Sequence, residues 1–319
     1  MIIKIHKLLI FFVSFASISI AAEKQATVRL KVVNEANEPV PHAEVLIIFG
    51  GIQQENNARL TSKTNEDGLL KAMGWSKGKF LSSVTVISKE PSYYQSVLTA
   101  HAQPEDREFD LRLMVRAVQN PTPMYAKKIL MRLPEQRKEI GFDFEKSDWV
   151  KPHGKGEVAD CFFFGTKTFE DFENNKTSVI MSFPGELDGL IIDPLMENAD
   201  VRHSKFKTAR EAPIEGYVNI KEFVSRSSTD RGYAGTTKPS NYIFRARTIL
   251  DQQGKLQSCH HGKLVNAVDV HFGAGKPDTN PVVSFTYYFN PTPNDRNLEF
   301  EPKENLFGAL EWDEEVREP

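Results

Sequence analysis

Cysteine is scarce in this chain: Cys161 and Cys259 are the only two among 319 residues. This scarcity excludes a small scaffold held together by several disulfides. One bond between the two could form in an oxidising compartment. The loop of about 100 residues that it would close predicts a stabilisation of up to about 4–5 kcal/mol. Both cysteines lie in strand-like sequence, so two buried free thiols are the alternative.

The chain also lacks a large net charge of either sign. It contains 40 Lys and Arg against 43 Asp and Glu, a formal net charge of −3. This balance argues against a protein that binds nucleic acid or an anionic membrane through bulk charge. One local basic cluster is interpreted as a solvated loop. It consists of Arg202, His203, Lys205, Lys207 and Arg210.

Long apolar runs are absent except near the first residue, where residues 8–20 form one. Its length of about 13 residues fits a signal peptide and is shorter than the roughly 20 that a spanning helix needs. Lys4 and Lys7 precede it, and Ser19-Ile20-Ala21 has the small-residue pattern of a cleavage site. We therefore expect a signal peptide at 1–21, export to the periplasm or the extracellular space, and no transmembrane segment in the mature chain. An uncleaved anchor and a buried N-terminal helix are the alternatives.

Short alternating segments take the place of helical periodicity after the apolar run. Val28, Leu30 and Val32 alternate with polar residues, and Asn65-Glu66-Asp67-Gly68 forms a turn sequence that favours a positive φ at its glycine. Several short strands separated by turns predict a β-sandwich. Its expected core consists of Val28, Leu30, Val45, Ile47, Val84, Val86, Phe109, Leu111 and Leu113.

Two motifs of this region resemble those of carboxypeptidase regulatory-like domains. Glu38 to Val45 is similar to their Pro-Val-Pro-Gly-Ala strand–turn–strand, with His42 in place of the usual glycine, and Thr61 to Gly68 is similar to their Thr-x-x-Asp-Gly turn. The resemblance covers about residues 26–116. It implies a transthyretin-like or immunoglobulin-like sandwich that serves as an accessory or adhesive module, and it assigns no catalytic residue.

The sequence predicts an all-β fold: an immunoglobulin-like β-sandwich at 22–116, followed by a larger mainly-β domain at 135–308 with one or two short helices. Asn120-Pro121-Thr122-Pro123 cannot continue a strand ladder, because proline lacks the amide donor. Residues 117–134 are therefore expected to be a linker with a short helix over Met124 to Leu133. Residues 309–319 are expected to be a frayed acidic tail.

The larger part resembles only uncharacterised exported bacterial proteins. The resemblance rests on Tyr125 to Ile129, Gly141 to Asp143 and Asn290 to Asn297. It implies nothing about chemistry.

Cys259-His260-His261 combines residue types that bind zinc. In a strand, Cys259 and His261 share one face and His260 points to the other, so at most two of the three can meet one ion. No second pair at ligand spacing follows, and His153, His203 and His271 are isolated. The segment is therefore interpreted as a structural strand, with no metal and no cofactor expected.

Catalytic motifs are also lacking. No nucleophile elbow, phosphate loop, dinucleotide fingerprint or calcium loop occurs, and Cys161 lies in apolar sequence that favours a buried thiol. Carboxylates do stand beside aromatic residues, as glycoside hydrolysis or a sugar-binding face would require. These are Asp143, Asp148 and Asp160 near Phe142, Phe144, Trp149 and Phe162, together with Asp188 and Asp193 beside an apolar run.

Two functions fit these observations. The first is an exported non-enzymatic binding, adhesive or structural protein whose partner is a polysaccharide or a cell-surface protein. The second is a secreted hydrolase that acts on a polymer such as a glycan, with the sandwich as its accessory module. The absence of a catalytic motif favours the first, and the acid-plus-aromatic stretch from Phe142 to Phe164 supports the second.

We expect the exported chain to begin at Ala22, because the cleavage pattern ends at Ala21. N-terminal sequencing of exported material measures this. Material that begins at Met1 and stays in a washed membrane fraction would contradict both the cleavage and the export.

Overall fold

The computed structural model describes residues 24–50, 58–76, 83–103, 105–169, 175–227, 235–236, 240–271 and 279–319. The expected signal peptide lies outside these residues. Within the described part, no helix has the length and apolar character that crossing a lipid bilayer requires.

The described residues form strands, two single 3₁₀ turns at Val201–His203 and Pro302–Glu304, and no α-helix. The fold is all-β, as the sequence predicted. The strands are β1 Lys24–Val33, β2 Glu44–Phe49, β3 Arg59–Lys63, β4 Leu69–Ser76, β5 Ser83–Ser88, β6 Tyr93–Tyr94, β7 Val97–His101, β8 Glu108–Met114, β9 Arg116–Ala117, β10 Tyr125–Arg132, β11 Glu139–Asp143, β12 Asp148–Trp149, β13 Cys161–Phe169, β14 Asn175–Ser182, β15 Gly189–Ile192, β16 Ile220–Ser227, β17 Gly235–Thr236, β18 Tyr242–Leu250, β19 Leu256–His271 and β20 Val282–Asn290.

The N-terminal strands form a sandwich of two sheets, ordered β4-β1-β8 and β3-β2-β5-β7. Strand β1 pairs antiparallel with β4 and parallel with β8. Eight of the nine predicted core residues are buried between the sheets, and Leu111 is partly buried against them. The alternation of apolar and polar residues therefore predicted both the strands and their inward faces.

Both turn motifs contain a residue in the left-handed backbone region that glycine favours. His42 has φ +56° and Gly68 has φ +69°. A side chain at Gly68 would also collide with the carbonyl oxygen of Val32, only 2.6 Å from the position of a Cβ atom. Glycine is required at this turn, whereas His42 tolerates a conformation that glycine adopts more readily.

The larger part is a second pair of sheets, ordered β12-β11-β13-β14-β16-β17 and β10-β20-β19-β18-β15. Aromatic side chains dominate the core between them. The phenyl ring of Phe142 makes edge-on contacts with Phe163, Phe285 and Trp149, at centroid distances of 6.1, 5.7 and 5.5 Å. Edge-to-face pairs of this kind add stabilisation to the burial of apolar area.

The helix predicted over Met124 to Leu133 is wrong: Tyr125–Arg132 is strand β10. It pairs with β20 from Tyr125↔Phe289 to Arg132↔Val282. Apolar residues lie on both faces of this strand, because Ile129 packs into the main core while Ala126 packs into a second, smaller one. The two-sided burial hides the alternation that would have identified a strand.

The acidic tail is packed and not frayed. Val316 is buried with Met124, Tyr288 and Phe300. The amide of Lys128 donates to the carbonyl oxygen of Glu314 at 2.9 Å, and the ammonium of Lys127 pairs with the Glu314 carboxylate at 2.9 Å. Burial of Val316, these two contacts of Glu314 and a hydrogen bond from the Tyr288 hydroxyl to the carbonyl oxygen of Glu318 hold the tail against the sheet.

The sandwich meets the larger part through a buried ionic network, called here the junction cluster: Glu35, Arg116, Phe206, Arg210 and Glu299. The Arg116 guanidinium is 1% exposed; it donates to Glu35 at 2.8 Å and to the carbonyl oxygen of Phe206 at 2.7 Å. Arg210 donates to Glu35 at 2.6 Å and to Glu299 at 3.0 Å. Arg210, which the sequence placed in a solvated basic loop, is therefore part of this contact.

Arg116→Met is expected to lower the free energy of unfolding by about 3–5 kcal/mol, because it removes one partner from a buried ionic network. Denaturant unfolding of the mature chain measures this. Arg112→Met is the matched control at the same junction: its ion pair with Asp200 is exposed, so about 1 kcal/mol or less is expected. Equal small losses in both variants would contradict the role of the junction cluster.

Candidate functional site

Three consecutive phenylalanines on β13 divide between the core and the surface. Phe163 is fully buried, whereas Phe162 and Phe164 point to the outer face of the six-stranded sheet and are half-buried. This split follows from the strand period of two residues. The outer pair lies in a groove of about 430 Å³, called here the aromatic groove. It is lined by Glu139, Phe162, Phe164, Ile180, Ser182, Phe183, Asn219 and Ile220.

The register of the sheet places apolar side chains side by side in the aromatic groove. Phe164 is the cross-strand partner of Ile180, while Phe162 is the partner of Ser182, which in turn pairs with Ile220. Ile220 is 62% exposed. Aromatic and β-branched neighbours across strands stabilise a sheet even on its outer face, but they also leave an apolar surface open to solvent.

Polar groups form the rim of the aromatic groove. The side-chain amide of Asn219 donates to the carbonyl oxygens of Phe183 at 2.8 Å and Gly185 at 3.0 Å. Because the side-chain nitrogen of Asn219 makes these two bonds, its amide oxygen points away from both carbonyl groups. Glu139 is exposed on the opposite side of the groove and has no ion-pair partner among the described residues. The groove therefore combines an apolar floor with hydrogen-bond acceptors at its edge.

Two of the carboxylates that suggested a hydrolase, Asp143 and Asp160, pair inside the protein with Arg247. Its Nη2 atom donates to Asp160 at 3.1 Å, and its Nη1 atom contacts Glu145. Arg247 has φ +55° and lies at an irregularity in the pairing of β18 with β19. Such bulges change the direction of side chains. Here the irregularity directs the Arg247 guanidinium towards Asp160 and Glu145.

Asp143 and Asp160 have opposite pKa shifts. Burial raises the pKa of Asp160 to about 6, although Arg247 opposes that shift. Burial also acts to raise the pKa of Asp143, but the amides of Glu157 and Val158, at 2.9 and 3.1 Å, help to hold it below its ordinary value. Two acids with separated pKa values are typical of acid–base catalysis, yet the side chains of both are at most 2% exposed. Neither therefore faces a groove.

The other predicted acids hold loops in place. Asp148 accepts the amides of Trp149 and Lys155 at 2.8 Å each, and Asp193 accepts the amide of Leu195 at 2.9 Å. Asp188 accepts the amide of Thr248 at 3.2 Å. The aromatic residues predicted beside these acids lie in the core, except Phe162. They are Phe142, Phe144 and Trp149.

Cys259 and His261 share one face of β19, as the sequence predicted, and His260 lies on the other. The Sγ atom of Cys259 lies 3.6 Å from Nε2 of His261, whose Nδ1 lies 3.1 Å from the carbonyl oxygen of Asp295. Because a carbonyl only accepts, Nδ1 carries the proton and Nε2 accepts from the thiol. His260 instead stacks on the ring of Phe289 at 5.5 Å.

Burial keeps the Cys259–His261 pair neutral. It raises the pKa of the Cys259 thiol and lowers the pKa of His261 to about 4. A reactive cysteine needs the thiolate, which this environment disfavours. No group of three potential metal ligands occurs among the described residues. Cys161 and Cys259 are both buried free thiols, so the disulfide that the sequence allowed is not formed in this structure.

Sequence reasoning found Phe162 but missed the rest of the aromatic groove. Phe164, Ile180 and Ile220 lie on three different strands, so only the register brings them together. One signal was present: in a strand, a run of three phenylalanines must place at least one ring on the outer face.

Comparison with known proteins adds little to this geometry. No family model matches the sequence, and no curated protein matches it. Among solved structures, the shaft pilin SpaA of Lactobacillus rhamnosus GG is 10% identical over 71% of this chain and 89% of the pilin, with a TM-score of 0.23. A proposed pore-forming toxin of Bacteroides vulgatus ATCC 8482 is 9% identical over 87% of this chain and 94% of the toxin, with a TM-score of 0.19. These TM-scores are too low to carry an argument.

His261 predicts a specific dependence of stability on pH. Its pKa falls from 6.5 when unfolded to about 4 when folded, so the unfolded state binds more protons between these values. The contribution of His261 to the free energy of unfolding is therefore complete above pH 6.5. It falls by up to about 1.4 kcal/mol per pH unit as the pH is lowered towards 4. His261→Gln should show a shallower loss in denaturant unfolding at about pH 7 and about pH 5. Identical slopes would show that His261 titrates alike in both states.

Proposed function

We propose that this protein is an exported, non-enzymatic binding protein that presents the aromatic groove to a polysaccharide. One observation carries the proposal: Phe162 and Phe164 lie half-exposed on an open sheet face, in a groove with polar acceptors at its rim. The C–H faces of sugar rings pack against aromatic rings, and the hydroxyl groups around them donate to carboxylate and amide oxygens.

The interior chemistry supports a binding role over hydrolysis. Glycoside hydrolysis needs two carboxyl groups on opposite sides of a bound sugar. Asp143 and Asp160 are instead buried and bonded to backbone amides or to Arg247. Among the described residues that line the aromatic groove, one carries a carboxylate, Glu139. These lining residues can hold a ligand but do not supply the pair of acids that cleavage needs.

The junction cluster supports the structural side of the proposal. An adhesive protein transmits force between the surface that holds it and the ligand that it holds. The buried contacts of Arg116 and Arg210 join the N-terminal sandwich to the part that carries the groove. A rigid connection of this kind suits a protein that presents a ligand-binding face.

Phe164→Ala is expected to weaken binding of a neutral polysaccharide by about 3- to 10-fold, the range expected for one aromatic packing contact. The mature chain would be tested against a panel of soluble neutral polysaccharides by affinity electrophoresis, and the best ligand by calorimetry. Leu130→Ala is the matched control, because Leu130 is 71% exposed on β10 of the other sheet; its affinity should equal that of the wild type.

Three outcomes would contradict the proposal. One is the absence of binding across the panel, and another is equal affinity of Phe164→Ala and wild type. The third is release of reducing sugar by the wild-type protein that Asp160→Asn abolishes, which would establish the hydrolase instead.

A further inference from the structure

A second groove lies on the outer face of the three-stranded sheet of the N-terminal sandwich, away from the aromatic groove. It has a volume of about 580 Å³ and is called here the basic groove. It is lined by Arg29, Leu30, Lys31, Asn65, Leu69, Leu70, Lys71, Asp110, Leu111 and Arg112. Four of these ten residues are cationic and one is acidic.

The strand register places like charges directly opposite one another in the basic groove. Arg29 of β1 is the cross-strand partner of Lys71 on β4, and Lys31 is the partner of Arg112 on β8. Like charges at opposed positions destabilise a sheet. The two cationic pairs are two residues apart along β1, which corresponds to about 7 Å. The fold therefore holds two rows, each with a cationic pair, at a fixed separation, and Asp110 completes the first row opposite Arg29.

Neighbouring acids compensate only part of this charge. Arg29 pairs with Asp110 at 2.6 Å and with Glu108 at 2.9 Å, and Arg112 pairs with Asp200. These pairs are exposed, so each contributes little. Lys31 and Lys71 are exposed and have no ion-pair partner among the described residues. Each row therefore has one ammonium group free to meet an anion from outside.

The floor of the basic groove is the sheet itself. Leu69 is 47% exposed beside Lys31, whereas Leu30 is 1% exposed because it belongs to the core beneath. A closed sheet surface cannot admit an acyl chain, but it can receive an extended polymer that lies along the strands. The exposed part of Leu69 offers an apolar contact for the face of a sugar ring.

We infer that the basic groove binds an acidic polysaccharide. Carboxylates on its sugar residues meet the ammonium groups of Lys31 on β1 and Lys71 on β4, which belong to two rows about 7 Å apart along the strands. Charge complementarity selects an anionic ligand, and the flat, partly apolar floor selects a sugar polymer over a lipid. This site is independent of the aromatic groove, where none of the described lining residues is cationic.

The test uses the mature chain and sodium polygalacturonate, with affinity measured by calorimetry. Binding should weaken as salt is added, because exposed charges are screened. The double variant Lys31→Glu, Lys71→Glu should weaken binding at least about tenfold, since two charge-assisted contacts are lost. Lys63→Glu is the matched control: it makes the same change at an exposed position of β3, on the opposite sheet of the same sandwich. It should alter affinity less than about twofold.

Several results would overturn the inference. These are absence of polygalacturonate binding, an equal loss in Lys63→Glu, and tighter binding to phosphatidylglycerol vesicles or to single-stranded oligothymidylate through the same two lysines. Phe164→Ala separates this site from the proposed function: it should leave polygalacturonate affinity unchanged, whether or not the aromatic groove binds a neutral glycan.

Discussion

Three cationic side chains surround one buried phenyl ring where the two parts of the chain meet. The charged groups of Arg116, Lys263 and Arg210 lie 4.3, 4.9 and 5.3 Å from the centre of the Phe206 ring. Burying such charges costs several kcal/mol for each ion unless hydrogen bonds and counter-charges satisfy them. Glu35 and Glu299 supply the counter-charges, and the carbonyl oxygens of Phe206 and Thr208 accept from Nη1 of Arg116.

This requirement couples segments that are far apart in sequence. The end of the first sandwich and the segment around Phe206 must both be in place before Arg116 is satisfied, and Arg210 adds the segment that carries Glu299. Tyr94 tightens the same arrangement, because its hydroxyl donates to Glu299 at 2.6 Å. Lys263 shows how strongly the site is desolvated: burial lowers its pKa to about 7. These contacts act with the Arg112–Asp200 ion pair and the packing of Val33, Met114 and Val201 to place the two parts against each other.

Charged side chains that are paired inside the protein are not available to a ligand, and this limits where a functional site can lie. Arg247 neutralises Asp143 and Asp160 within the larger part, so the acids that looked most like catalytic groups stabilise loops and strand ends. The side chains that can meet a ligand in the aromatic groove and the basic groove lie on the outer faces of two sheets. One face carries aromatic rings and the other carries uncompensated lysines. Both faces are set by the same rule, since alternate residues of a strand point away from the core.

The sequence by itself determined the fold class and most of the first sandwich, because alternation reports directly which side of a strand is buried. It also determined that Cys259 and His261 share a face, since two residues along one strand suffice. It could not determine strand β10, which has a buried apolar residue on each face, nor the packing of Val316 in an acidic tail. Above all, it could not determine the junction cluster or either groove. Those depend on cross-strand register and on contacts between residues far apart in the sequence, such as Arg210 with Glu35. No local pattern encodes such pairs, because their partners are chosen only when the sheets close.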